Sequence, residues 1–185
     1  MTLLVAGILL FVLIHLVPSV PPLRQRLVAR LGELPWRGLF SLVAVAGLFL
    51  VGKGYGSSPH VPLWEPPAWA PEAAVHVMPL AFVLLAAAYT PGHIRTWLRH
   101  PMLIAVVIWA ILHLLANGDL ASLILFGGFG AFALLAIAST ETRNAVVTPK
   151  SSRLAMDAVA VIVGLVAYGT FLWAHPRLFG VPALT

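Results

Sequence analysis

Hydrophobic residues fall in six long runs along the chain, separated by connections that hold most of the polar residues. A membrane-spanning helix needs about 20 predominantly apolar residues, and each run approaches that length. The pattern therefore predicts an all-α fold, a polytopic membrane bundle of six transmembrane helices that forms one domain over residues 1–185. The runs extend from Thr2 to Val17, Leu39 to Gly52, Ala73 to Tyr89, Met102 to Ala116, Leu120 to Ala138 and Ala158 to Ala174.

The composition excludes a soluble domain. Hydrophobic residues make up 61% and charged residues 9% of the 185, and the mean hydropathy is +0.98, whereas soluble domains have about 45–50% apolar and about 25% charged residues. Six spans leave no room for a soluble catalytic domain, so any chemistry takes place within the bilayer or at its faces. The chain has no Cys, which excludes disulfides, thiolate ligands and Cys-ligated iron–sulfur clusters.

Basic residues lie mainly in alternate connections. The formal net charge of +5 indicates topology and lipid contact in a membrane protein, rather than nucleic-acid binding. The connections after the first, third and fifth runs carry most of the Lys and Arg residues, whereas Lys53 and Arg177 lie on the other side. The positive-inside rule then predicts both termini outside, which is the periplasm if the chain lies in a bacterial inner membrane. The residues predicted inside are Arg24, Arg26, Arg30, Arg37, Arg95, Arg99, Arg143, Lys150 and Arg153.

The first run is followed by prolines and by basic residues. Pro18, Pro21 and Pro22 are predicted to stop its helix, because proline cannot continue one. Positive charges follow the run, whereas in a signal peptide they precede it. We therefore expect a retained membrane anchor.

The connection between the fourth and fifth runs is only Asn117-Gly118-Asp119. It predicts a tight antiparallel helical hairpin. Gly118 is expected to adopt the left-handed conformation that ends a helix, and Asp119 to cap the next helix.

The connection from Lys53 to Glu72 is rich in proline and contains Trp64 and Trp69. Proline resists helix formation and indoles favour the headgroup depth of a membrane. This segment is predicted to be an interfacial lid or, alternatively, a re-entrant cover over a pocket.

Small residues four positions apart predict close helix packing. Such pairs are Ala160 and Gly164 in the sixth run, and Gly127 and Ala131 in the fifth. They indicate packing and not activity.

The chain has seven histidines, and a histidine in hydrocarbon needs a hydrogen-bond partner or a metal. His60 and His93 lie in polar connections and are expected to be surface residues. His76 and His175 lie at the ends of spans, where they reach interfacial water. His100 precedes the first-turn proline of the fourth span and is either a cap-region residue or a functional one.

His15 and His113 differ from the others because each lies within an apolar run. Trp109, His113 and Asn117 follow one another at four-residue steps, so they share one face of the fourth helix. The two histidines are expected to bind a cofactor or, alternatively, to join helices by hydrogen bonds worth about 0.6 to 2 kcal/mol.

The residue types available limit the choice of metal. Without Cys, and with almost no carboxylate at membrane depth, a mononuclear zinc or non-haem iron site lacks its usual protein ligands. Haem needs only one or two axial histidines, because the porphyrin supplies four nitrogens. Haem b is therefore the cofactor that these histidines fit.

Two strings resemble the signature of the NnrU family. They are His100-Pro101-Met102-Leu103 and His113-Leu114-Leu115-Ala116-Asn117-Gly118-Asp119, with Trp109 between them. The resemblance runs over nearly the whole chain and includes His15, the segment Arg30-Leu31-Gly32-Glu33, Arg37, Tyr55 and Trp64. NnrU proteins are small bacterial membrane proteins associated with nitrite and nitric oxide metabolism, so the resemblance implies a link to denitrification.

The NnrU family is similar to plant 15-cis-zeta-carotene isomerase, a membrane enzyme that holds haem b between two histidines. The resemblance implies that His15 and His113 are the metal ligands here, with His100 as the other candidate. Trp109 and Asn117, on the face of His113, complete the predicted cofactor site. The isomerase also has a Cys near its second ligand, and since this chain has none, thiolate exchange does not carry over.

The predicted topology puts His15 and His113 at different depths. Their spans run in opposite directions, and at about 1.5 Å rise per residue their Cα atoms differ in depth by roughly 15 Å. In the predicted topology, His15 and His100 lie at more similar depths in the membrane, and so do His76 and His113. The resemblance favours His15 and His113.

Two classes of function are compatible with these residues. The first is a haem protein in which iron handles electrons, nitric oxide or the cis–trans isomerisation of a lipophilic polyene, with a quinone as a further possible ligand. The arginines at 24, 26 and 30 then either pair with haem propionates or contact anionic lipid. The second is a haem-free accessory, assembly or small-solute transport protein whose histidines are structural.

Overall fold

The structure is a computed structural model that describes residues 1–143, 145–146, 148–149 and 151–180. Helices and connections account for these residues, with no strand among them, so the all-α prediction is confirmed. Lys150, one of the basic residues used to predict the topology, lies outside the described residues. The helices are α1 (Thr2–Leu16), α2 (Pro21–Leu31), α3 (Glu33–Gly56), α4 (Ala70–Ala87), α5 (His93–Leu98), α6 (Pro101–Ala116), α7 (Leu120–Thr142) and α8 (Leu154–Phe179).

Five helical segments are long and apolar enough to cross a membrane: Thr2–Ser19, which contains α1, and the helices α3, α4, α7 and α8. The helix α6 is equally apolar but has only 16 residues. A helix that is apolar on every side is typical of a protein core or a membrane span. Here large apolar side chains point outward, as lipid contact requires, and they include Leu13, Leu42, Phe49, Leu135 and Val166.

Two short helices were not predicted from the hydrophobic runs. Pro21 and Pro22 lie in the first turn of α2, so the prediction that these prolines only stop a helix was incomplete. Proline suits a first turn because its missing N–H has no intrahelical partner there and its φ is already helical. The second missed helix is α5, which joins α4 to α6.

The predicted boundaries of two spans are also corrected. Gly32, with a φ of 87°, separates α2 from α3, so α3 begins at Glu33 rather than at Leu39. At the other end of the chain, α8 continues past Ala174 through an internal proline to Phe179.

The chain divides into two compact units, Met1–Pro62 with Asp119–Gly128, and Leu63–Gly118 with Phe129–Thr185. In the first unit, α1 packs along α3 in the opposite direction. A Cβ atom at Gly7 would lie 2.6 Å from the backbone nitrogen of Val51, and one at Gly54 would collide with the backbone of Leu4. These glycines let two helix backbones approach where no hydrophobic effect drives association.

In the second unit, α4 packs against both α6 and α8. Ala160 is fully buried, and a Cβ atom at Gly164 would lie 2.5 Å from the Cα of Val83, so this predicted small pair is a packing surface. The other predicted pair is not. Ala131 is exposed, and a Cβ atom at Gly127 would make only an ordinary 3.6 Å contact within its own helix.

The predicted left-handed conformation of Gly118 was wrong. Among the described residues, positive φ angles occur at Gly32, Arg99 and Gly180 only. Glycine is required at 118 for another reason, because a Cβ atom there would collide with the carbonyl oxygen of Trp64. In the second unit, the amides of Leu63 and Trp64 donate to the carbonyl of Gly118 at 2.7 and 3.1 Å.

The predicted cap at Asp119 is confirmed. Its side chain accepts a hydrogen bond from the amide of Ser122 at 3.1 Å, in the first turn of α7. In the same unit, the amide of Leu120 donates to the carbonyl of Val61 at 2.9 Å. The proline-rich connection is therefore held by main-chain hydrogen bonds at its centre.

Candidate functional site

His15 lies near the end of α1 and is partly buried. Its Nδ1–H donates to the carbonyl oxygen of Phe11 at 2.7 Å. The ring stacks on Phe11, with centroids 4.0 Å apart, and meets the edge of Phe40 at 4.9 Å. Because a carbonyl oxygen only accepts, the proton of the neutral ring is on Nδ1 and the lone pair is on Nε2.

A pocket of about 390 Å³ lies beside Phe40 in the first unit. Trp36, Arg24, Glu33 and Arg37 are also among its lining residues. Arg24 donates to both carboxylate oxygens of Glu33 at 3.0 and 3.2 Å, and Arg37 donates to one of them at 3.0 Å. An aromatic ring that contacts His15 thus borders a pocket with arginines in its lining, although one carboxylate offsets part of their charge.

His113 lies near the end of α6 and makes the same kind of contact as His15. Its Nδ1–H donates to the carbonyl oxygen of Trp109 at 2.8 Å, and the two ring centroids are 5.3 Å apart. The side-chain amide of Asn117 donates to the carbonyl of His113 at 2.8 Å. The predicted helix face is therefore formed, but the Asn117 amide binds the backbone at the helix end rather than the imidazole.

His100 has a different environment from the other two candidate ligands. Its side chain is only 10% exposed, and its Nε2 lies 2.7 Å from Glu141. Arg99 donates two further hydrogen bonds to the same carboxylate, at 2.9 and 2.8 Å. As an iron ligand through Nε2, His100 would have to give up its contact with Glu141.

Arg99 is the centre of a strained turn. The amide of His100 donates to the carbonyl of Leu98 at 2.6 Å, and Arg99 has φ 60° and ψ −42°. This is a γ-turn of the rare positive-φ type. Such a conformation costs a residue other than glycine about 1–3 kcal/mol, which the bonds from Arg99 and His100 to Glu141 help to offset.

His93 was predicted to be a surface residue, and its side chain is 35% exposed, but it also makes a contact that the sequence did not indicate. Its Nδ1 lies 2.9 Å from a carboxylate oxygen of Asp157, and that carboxylate also accepts the backbone amides of His93 and Ile94 at 3.0 Å. His93 is therefore part of a cap that joins α8 to the start of α5. The two residues are far apart in sequence, so no local pattern indicated the contact.

The remaining histidines lie near the ends of helices or in a connection. His60 and His76 are exposed, as expected, and His76 donates from Nδ1 to the carbonyl of Glu72 at 2.8 Å. His175 is partly buried against Phe179, with centroids 4.8 Å apart. It is close enough to His113 to interact with it electrostatically, which the sequence did not indicate.

A hydrogen-bonded chain of three side chains in the first unit was also missed. The Ser122 hydroxyl donates to Asp119 at 2.5 Å and lies 2.8 Å from the Tyr55 hydroxyl. Burial raises the pKa of Asp119, but the hydrogen bonds from Ser122 and the amide of Ala121, together with nearby His60, bring that pKa below its usual value. The Asp-x-x-Ser spacing after Gly118 was a local signal for the first contact but not for Tyr55.

The helix α7, which begins next to these three hydrogen-bonded side chains, contains a π-helical turn. Residues Leu123–Gly127 form a single π-helical segment inside α7, a feature that often marks functional sites. The ring of Phe126, within the segment, meets Tyr55 edge-on at 6.2 Å. The hydrogen-bonded chain and the π segment therefore adjoin.

Within the described parts of the chain, no group of three or more His, Cys, Asp or Glu side chains could hold a metal ion by itself. The five long apolar helices and their outward apolar side chains define a polytopic α-helical membrane protein. The chain belongs to the NnrU family: the family model described as NnrU protein matches residues 3–183. Comparison of the chain with curated proteins and with solved structures found no match.

Proposed function

We propose that this protein binds haem b, with His15 and His113 as the axial metal ligands. The observation that carries the proposal is that both imidazole rings make the same kind of hydrogen bond. In each, Nδ1–H donates to a backbone carbonyl, at 2.7 and 2.8 Å, and so the lone pair is on Nε2. Histidines that bind metals are typically oriented in this way, by a hydrogen bond from the other ring nitrogen.

The neighbours of both histidines suit a porphyrin. Phe11 and Phe40 contact His15, and Trp109 contacts His113, so each imidazole is held among apolar rings. Bound haem would supply one-electron chemistry at iron and a place for a diatomic ligand. Asn117 fixes the helix end beside His113, and His100 is the alternative ligand.

Arginines near the first histidine are the proposed partners of the haem propionates. Arg24 lines the pocket that Phe40 borders, and the arginines at 26 and 30 lie on the same helix, α2. Arginine binds carboxylates through two parallel hydrogen bonds. Arg24 would exchange part of its contact with Glu33 for a propionate.

Membership of the NnrU family supports a role in nitrite and nitric oxide metabolism. The chemistry we propose is electron transfer or cis–trans isomerisation at a histidine-ligated haem. A lipophilic polyene, a quinone or nitric oxide is the proposed small-molecule partner.

We also propose six spans in the bacterial inner membrane with both termini in the periplasm. Contacts inside the second unit support this topology. Arg99 bonds to Glu141 near the end of α7, and the amide of Arg153 donates to the carbonyl of Pro91 at 3.1 Å. The basic connections after α4 and α7 therefore lie at one end of this unit, as the positive-inside rule expects of one membrane face.

The absorbance spectrum tests haem binding. We expect the full chain, purified from cells with ample haem, to show a Soret band and the α and β bands of a low-spin haem. His15→Ala and His113→Ala should each lose the low-spin spectrum, whereas His60→Ala, which changes an exposed histidine, should keep it. A stable, colourless wild-type protein would contradict the proposal.

The second candidate is a haem-free accessory, assembly or small-solute transport protein. One observation favours it: the hydrogen bonds of His15 and His113 lie within their own helices, so one polar atom of each ring is satisfied without a cofactor. In that case the two alanine variants would lose stability and the wild-type spectrum would show no Soret band.

A further inference from the structure

A small pocket of about 180 Å³ lies in the second unit, where the connection after α4, the short helix α5 and the start of α6 meet. Three of its lining residues, Arg95, Arg99 and His100, carry or can carry positive charge. Neither His15 nor His113 lines this pocket, although His100, the alternative ligand, does.

The charge of the pocket is only partly offset. Arg99 and His100 share a single carboxylate, that of Glu141. Arg95 makes no ion pair with any residue that the structure describes. Two guanidinium groups and one carboxylate leave a net positive charge, and a guanidinium has the planar donor geometry that suits a phosphate group.

The cationic part of the pocket is held in place before any ligand arrives. The positive φ of Arg99 directs the chain through a tight turn, and two hydrogen bonds to Glu141 fix its guanidinium. A side chain that is already ordered loses less entropy when it binds. The strained turn therefore places an ordered guanidinium group at the edge of the pocket.

The rest of the lining is apolar and includes Ala88, Met102 and Leu103. Nearby, Tyr89 and Trp97 are both largely exposed, and exposed aromatic residues of this kind favour the membrane–water interface. Basic pockets between membrane helices at that depth bind the headgroups of anionic lipids. A cationic pocket with exposed aromatic residues beside it suits the headgroup of an interfacial lipid better than a small soluble ion.

We infer that this pocket binds a phosphate group through Arg95 and Arg99. The phosphate belongs either to the headgroup of an anionic phospholipid or to a soluble anion, and the exposed aromatic residues Tyr89 and Trp97 beside the pocket favour the lipid. The arginines act as hydrogen-bond donors to the phosphate oxygens, and the apolar residues contact the first carbons of the lipid.

Arg95→Gln is the sharpest test, because Arg95 makes no described ion pair and its loss should leave the fold intact. The full chain in mild detergent is titrated with phosphatidylglycerol, and bound lipid is counted by native mass spectrometry. We expect the variant to bind roughly fivefold more weakly, because it loses the hydrogen bonds that the Arg95 guanidinium would donate to the phosphate. Arg95→Lys should recover part of the affinity.

Arg143→Gln is the matched control. It removes the same charge from the same end of the unit, but Arg143 does not line the pocket. Its affinity for phosphatidylglycerol should stay within experimental error of the wild type. Equal losses in the Arg95 and Arg143 variants would show a general effect of charge and would overturn the inference.

A second titration separates the two sources of phosphate. Inorganic phosphate is added to the complex with phosphatidylglycerol. If the ligand is a lipid, phosphate should displace little of it. If inorganic phosphate displaces all of the phosphatidylglycerol, and does so in the wild type but not in Arg95→Gln, the pocket is a site for a soluble phosphate. If neither probe depends on Arg95, the pocket is not a phosphate site.

Discussion

Asp157, near the start of α8, accepts the backbone amide and the ring nitrogen of His93 with one carboxylate oxygen, at 3.0 and 2.9 Å. Its other oxygen accepts the amide of Ile94 at 3.0 Å. A Cβ atom at Gly92 would collide with this carboxylate. One side chain therefore caps the short helix α5 from outside and ties the connection between α4 and α6 to α8.

Asp157→Ala should destabilise the second unit. The side chain of Asp157 is only 13% exposed, and hydrogen bonds to charged groups contribute about 1.5–3 kcal/mol. We expect the midpoint of thermal unfolding to fall below that of the wild type, and to fall less in Asp157→Asn, which keeps one acceptor oxygen. Thermal unfolding in detergent, followed by circular dichroism, measures the change.

Glu65→Ala is the control for this substitution, because Glu65 is an exposed acidic residue. Its midpoint of unfolding should match that of the wild type. An Asp157→Ala protein as stable as the control would mean that the cap of α5 contributes nothing to the fold.

Two glycines of α8 make a second matched pair. A Cβ atom at Gly164 would lie 2.5 to 2.9 Å from backbone atoms of α4, which cannot move aside, whereas one at Gly169 would meet nothing within 4 Å. Gly164→Ala should therefore lower the midpoint of thermal unfolding. Gly169→Ala should leave it unchanged or raise it, because alanine is favoured over glycine within a helix by about 1 kcal/mol. The same effect of both substitutions would contradict the close packing of α8 on α4.

The six longer helices could be predicted from the sequence because membrane spans need continuous apolar runs, and each predicted run corresponds to one of them. Their boundaries were less predictable. Pro21 was interpreted as a stop signal, whereas in the structure it begins α2, since the same residue type suits the end of one helix and the first turn of the next. Gly118 was predicted to adopt a left-handed conformation, which was wrong, and the close approach of the Trp64 carbonyl oxygen that requires glycine there could not be predicted.

The candidate site also has contacts that could be predicted from the sequence and contacts that could not. The face that joins Trp109, His113 and Asn117 was predictable because helical spacing is local, and its hydrogen bonds run between residues four apart. The contacts of His93 with Asp157 and of His100 with Glu141 join residues 64 and 41 positions apart. Only the packing of helices in three dimensions brings such pairs together.

Acid should weaken the first unit through Asp119. The pKa of this carboxyl is lowered in the folded protein, below the value of about 3.9 expected in an unfolded chain. Its contribution to stability is therefore complete above the unfolded pKa and is lost as the pH falls through the folded pKa. Thermal midpoints measured from neutral pH down to about pH 3 should fall more steeply in the wild type than in Asp119→Asn.

Two further variants test whether Asp119 causes the dependence of the thermal midpoint on pH. Ser122→Ala removes the hydroxyl that donates to Asp119 and should reduce the acid-dependent loss, because the folded pKa moves back toward the unfolded one. Glu65→Gln changes an exposed carboxyl and should keep the profile of the wild type. An Asp119→Asn protein with an unchanged acid profile would assign the pH dependence to another group.

The number of spans can be decided with single cysteines, because the natural chain has none. The helix α6 has 16 residues, which rise about 24 Å against a hydrocarbon thickness of about 30 Å, so it would span only with local thinning of the bilayer. Ser57 and Ser151 are exposed residues on either side of α4, α6 and α7. If α6 spans, three crossings put these positions on opposite faces; otherwise two crossings put them on the same face.

We expect an impermeant maleimide to label Ser57→Cys in cells whose inner membrane is intact, and Ser151→Cys only after that membrane is permeabilised. The wild-type chain gives the background, since it offers no thiol. Labelling of both cysteines in intact cells would show that α6 does not cross the bilayer, and labelling of Ser151→Cys alone would show the opposite orientation. Because α6 carries His113, the first of these results would also move this histidine from membrane depth toward the interface and remove the physical reason to expect a cofactor there.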